Sequence, residues 1–163
     1  VSAVLSPCGA YRYRLERDVA MEGPIYAFFG VNPSTADASE DDATVRKWIG
    51  FAKRWGASRF IVGNVFAFRA TDVGRLAYAP DPWGCDNYFH VDQIMAEADI
   101  LVPCWGSRIK LPKKLHGPLN RFASRFDGYG KPVMTFGRTA SGDPKHPLML
   151  GYETVLQPWS ANA

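Results

Sequence analysis

Four short stretches of the 163-residue chain place polar groups directly after apolar runs. The first, Gly30-Val31-Asn32-Pro33-Ser34-Thr35-Ala36-Asp37, carries an amide, two hydroxyls and a carboxylate. The second, Gly63-Asn64-Val65-Phe66, offers one amide, and the third, Trp105-Gly106-Ser107-Arg108, a hydroxyl and a guanidinium. The fourth runs from Gly137 to Leu150 and holds Arg138, Lys145 and His146, followed by Pro147-Leu148-Met149-Leu150. Asparagine presents both a donor and acceptors but cannot act as a strong general base, whereas histidine can donate or accept near neutral pH. Asp37, Asp41 or Asp42 could supply a carboxylate if the first turn folds back. Each group also has an ordinary role. Asn32 could simply form a turn before proline, Asn64 could satisfy a strand-end backbone group, and His146 could be structural.

Residues 25–31, 59–66, 100–105 and 132–136 are short apolar runs bounded by turn residues, as buried strands are. Pro103 belongs near the end of the third. Residues 44–55, 87–99 and 115–126 carry apolar side chains at helical spacing. Alternation of strand and helix predicts an α/β three-layer sandwich around a four-stranded parallel sheet, with residues 11–17 adding an edge strand or hairpin. Ligands of such sheets bind beyond the carboxyl ends of the strands, where the four polar stretches fall.

The pattern resembles the uracil-DNA glycosylase superfamily. Gly30-Val31-Asn32-Pro33 is similar to its first motif, and His146-Pro147-Leu148-Met149-Leu150 to its second, with Asn64 at the strand end where members carry a base-reading Asn. The opening Ser6-Pro7-Cys8-Gly9-x-Tyr11-Arg12-Tyr13 also resembles that of an uncharacterised bacterial and phage domain family. The resemblance implies catalytic roles for Asn32, positioning the attacking water, and for His146, donating to the base carbonyl. It implies base contacts from Asn64 and an apolar wedge at Leu150 or Met149 that fills the gap left by a flipped nucleotide. Trp48, Phe51 and Phe66 are candidates to stack on the base, although aromatics at such spacing usually belong to a core. Uracil-specific members carry a Tyr after the first motif that blocks substituents at C5 of the pyrimidine. Ser34 stands there instead, so a 5-substituted pyrimidine is admitted, with Ser34 or Thr35 available to its substituent. Leu148 replaces the usual second-motif Ser, and the cysteines that hold an iron–sulfur cluster in some branches are missing.

Charge adds a partner. The net charge is only +3, yet residues 105–145 hold nine basic side chains against two acidic ones. Arg108, Lys110, Lys113, Arg138 and Lys145 fall in the loops near the proposed site and can meet phosphates, with Arg12, Arg14 and Arg69 extending the surface. The expectation is a monofunctional DNA glycosylase acting on a flipped, 5-substituted pyrimidine, hydroxymethylated or glucosylated, in anti-phage defence. The alternatives are a uracil or mismatch repair glycosylase, a non-catalytic nucleic-acid-binding module, and a hydrolase of free nucleosides.

Composition sets the bounds. A 47% hydrophobic, 13% aromatic chain of this length suits a single globular domain and excludes disorder. No apolar run approaches the roughly 18 residues of a membrane helix, which predicts a soluble, cytoplasmic protein without a membrane partner. Cys8, Cys85 and Cys104 are too few for a paired framework, and with His90, His116 and His146 scattered, no metal or cofactor is implied.

Overall fold

The computed structural model describes residues 2–162. Five strands form a mixed sheet: β1 (Ser2–Leu5), β2 (Arg12–Asp18), β3 (Ile25–Gly30), β4 (Arg59–Asn64) and β5 (Ile100–Pro103), in the order β1-β2-β4-β3-β5. β3 lies parallel to both β4 and β5, while β2 is antiparallel to β1 and to β4. The alternating N-terminal segment thus forms a hairpin whose second strand continues the sheet past β4.

The central strands read as unbroken apolar runs because both their faces are covered. Along β3, Ala27 and Phe29 pack with Ile94, Phe122 and Phe126, under α2 (Asn87–Glu97) and α3 (His116–Ala123). Tyr26 and Phe28 point the other way, into Trp48, Phe51 and Phe60 beneath α1 (Ala43–Arg54). Burying a side chain of this size contributes about 1.5–3 kcal/mol. α1 starts where Asp42 accepts the Val45 N–H at 2.9 Å, and stops before Gly56, whose φ of +67° suits a residue without Cβ. Among the described residues no helix is long and apolar enough to cross a membrane.

The expected four-stranded parallel sheet is corrected to this five-stranded mixed one, with three mutually parallel strands. Residues 132–136 do not form a full fourth strand. Val133 makes a single parallel bridge to Leu101, after which β6 (Met134–Thr135) pairs antiparallel with β7 (Gln157–Pro158). The cause is local. Pro132 has no N–H for a ladder, and the returning chain claims the next carbonyl, with Trp159 N donating to Val133 O at 2.9 Å. Pro103 closes β5, where a missing donor does no harm.

Candidate active site

The carboxyl ends of the parallel strands open into a cleft of about 750 Å³. Its walls come from the loop after β3, the segment 70–73, the chain following β5 and the loop around His146. The loop after β3 is held from behind by three arginines that capture four successive carbonyls. Arg69 donates to Ser34 O at 3.3 Å and Thr35 O at 3.2 Å, Arg12 to Ala36 O at 2.5 Å, and Arg17 to Asp37 O at 2.5 Å. Arg12 is only 2% exposed. Burial lowers its pKa to about 10, helped by Arg69 and Arg17 and opposed by Asp42 and Asp37, so it remains a cation at neutral pH.

This bracing orients Asn32. Its side-chain nitrogen faces Ala70 O at 2.8 Å, Pro33 O at 3.0 Å and Phe68 O at 3.4 Å. Carbonyls only accept, so the NH2 group must sit on that side. The amide oxygen has no donor among the described residues, and Asn32 lines the cleft as an acceptor.

His146 is oriented by its own turn. Leu148 N donates to His146 Nδ1 at 3.2 Å, so in the neutral ring the hydrogen sits on Nε2. Burial lowers the His146 pKa and nearby Lys110 lowers it further, while Asp42 pulls it back up. At neutral pH the ring is therefore an uncharged donor through Nε2. Gly106, at φ +79°, lets the chain pass close to it, since a Cβ there would lie 3.3 Å from His146 Cβ. Of the three candidate carboxylates, only Asp42 lines the cleft. Asp41 pairs with Arg17 at 2.7 Å. Asp37 accepts from Ser39 and Glu40, which depresses its pKa.

Residues 12–148 match the family described as "Protein of unknown function (DUF1643)". The chain belongs to this family. No curated protein and no solved structure matches it. The span matched in DUF1643 takes in all four rim stretches except the two residues after Leu148.

Within this DUF1643 chain the other predicted residues divide sharply. Ser34 lines the cleft, and so do Arg108, Lys110, Lys145 and Leu148. Thr35 is exposed outside it, as is Lys113. Three base contacts are corrected. Asn64 is 2% exposed and lies beneath Gly30, where a Cβ would come within 2.9 Å of its side-chain oxygen. Phe66 is fully buried in one core, and Trp48 stacks on Phe28 in the other, so neither reaches the cleft. Leu150 packs against the α1 core, whereas Met149 is 90% exposed, leaving Met149 as the apolar tip.

The arginines are also corrected. Arg138 donates to Gly142 O at 2.9 Å and Ser160 O at 2.7 Å, and Arg14 pairs with Glu16 and Glu97. Arg108 forms an ion pair with Asp143 at 2.8 Å. Asp143, 1% exposed, also accepts from Arg108 N and from the Ser141 hydroxyl, which together hold its pKa down against burial. The polar cleft residues to which sequence reasoning assigned no role are Thr44, Thr71, Asp72, Ser107 and Thr139. Hydroxyls in loops are too common to stand out without their partners.

Proposed function

We propose that this cleft is the catalytic site of a DNA glycosylase, distantly akin to the uracil-DNA glycosylases, that excises a flipped, 5-substituted pyrimidine. One observation carries the proposal. The cleft presents a fixed acceptor, the Asn32 amide oxygen, together with a fixed uncharged donor, His146 Nε2–H. That pairing suits hydrolysis of an N-glycosidic bond, in which a water must be aligned and charge on the leaving base must be met.

In this reaction the Asn32 oxygen accepts one hydrogen of the attacking water, and Asp42 takes its proton as oxygen bonds to C1′. The C1′–N bond breaks with its electron pair going to the base. His146 Nε2–H donates to the base oxygen where that charge collects. The cleft has room for a substituted base, and Ser34 puts a small polar side chain in its wall. Lys110 and Lys145 at the cleft, with exposed Lys113 and Met149, supply the DNA-facing contacts. A role in anti-phage defence follows if the substituent is one found in phage genomes.

The engagement of Arg108, Arg138 and Arg14 inside the protein favours, as the second reading, a hydrolase of free nucleosides. The test uses duplexes carrying uracil, 5-hydroxymethylcytosine or its glucosylated form, followed by alkaline cleavage of abasic sites. Scission with the modified cytosines alone is expected. Scission with uracil alone points to repair, and salt-sensitive binding without scission points to a binding module. Base release from nucleosides but not duplexes supports the second reading.

A further inference from the structure

Ser107 and Thr139 both line the cleft, and the direction of their hydroxyl hydrogens follows from counting bonds. Asp143 is buried against the Arg108 guanidinium as an ionised acceptor. Ser141 Oγ donates its hydrogen to Asp143 Oδ2 at 2.7 Å. A hydroxyl has one hydrogen, so Ser141 must accept in its other two contacts, from Ser107 Oγ at 3.1 Å and Thr139 Oγ1 at 2.9 Å. The hydrogens of Ser107 and Thr139 are therefore spent inside the wall. Each oxygen also takes one backbone N–H, from Ile109 at 3.3 Å and Asp143 at 3.2 Å respectively, and keeps one lone pair.

We infer that Ser107 and Thr139 form an acceptor-only face of the cleft, which selects substrates whose ring substituent carries a hydrogen-bond donor. Among 5-substituted pyrimidines a hydroxymethyl group, or a sugar attached to one, meets that requirement. A methyl or formyl group does not. The inference rests on the glycosylase reading, and it moves recognition of the substituent from Ser34 and Thr35 to the loops that carry Ser107 and Thr139. The selectivity is imposed from behind. Asp143 sets the order of the hydrogens without lining the cleft itself.

The test compares 5-hydroxymethylcytosine with 5-formylcytosine, close in size but opposite in donor capacity, in otherwise identical duplexes. Wild-type protein should release the hydroxymethyl base about tenfold faster, the loss expected when a site built for a donor meets none. Ser107→Ala and Thr139→Val should each bring that ratio toward one. A wild-type ratio near one overturns the inference, as does a ratio that neither variant alters. If wild-type protein releases no base at all, the glycosylase reading falls. Calorimetric binding of the free nucleosides 5-hydroxymethyldeoxycytidine and 5-formyldeoxycytidine then decides the wall by itself. Preference for the first upholds it, and equal binding overturns it.

Discussion

The two rims that carry Asn32 and His146 are braced by opposite chemistry. Behind Asn32, buried or half-buried arginines reach main-chain carbonyls, so cations hold a backbone. Beside His146, one buried carboxylate gathers a guanidinium, a backbone N–H and a hydroxyl, so an anion holds side chains. Both devices consume charges that could otherwise have met a ligand. They differ in what can undo them. Guanidinium groups stay protonated across the ordinary pH range, whereas a carboxylate is lost on acidification.

The largest effect expected from disturbing this contrast is catalytic. Asn32→Ala or His146→Ala should reduce base release by about 10²–10⁴-fold, with DNA binding nearly retained, as measured by single-turnover kinetics and anisotropy. Full activity in both variants would sink the site assignment. Next comes Asp143→Ala, which strands three donors and should cost about 3 kcal/mol in urea unfolding. Arg12→Met should cost less, about 2 kcal/mol, because one carbonyl loses its partner while the apolar stem is replaced.

Acid titration probes the His146 rim without mutation. The Asp143 carboxyl is depressed in the folded state, so its contribution is fully present above the ordinary Asp value and is lost as pH falls through the lower folded value. Unfolding at pH 3 against pH 6 should show that loss, and Asp143→Asn should show a smaller difference between the two. Met149→Ala is expected to change stability by less than about 0.5 kcal/mol, since that side chain is exposed, while weakening nucleotide flipping seen by 2-aminopurine fluorescence.

The parallel core was legible because each of its strands holds a run of apolar residues, and helix α1 because its apolar side chains recur at helical spacing. The fourth strand was not, because its pairing is decided by residues 157–158, far along the chain. Asn64 was found at the correct strand end but on the wrong level. It pairs with Gly30 in register, and the missing Cβ there leaves room for its side-chain oxygen. The fate of the arginines was the least legible. Arg108 and Asp143 are 35 residues apart, Arg12 and Ala36 are 24 apart, and no local pattern joins them. A basic stretch read as DNA-facing is therefore partly internal scaffolding.

The hairpin that supplies Arg12 and Arg17 predicts an order of assembly. β2 enters the sheet only beside β4, as with Leu15 opposite Val62, so it must wait for a strand distant in sequence. Such non-local pairing is slow to form. The loop bearing Asn32 is then among the last parts of the molecule to set, and refolding should restore helical circular dichroism before it restores ligand binding.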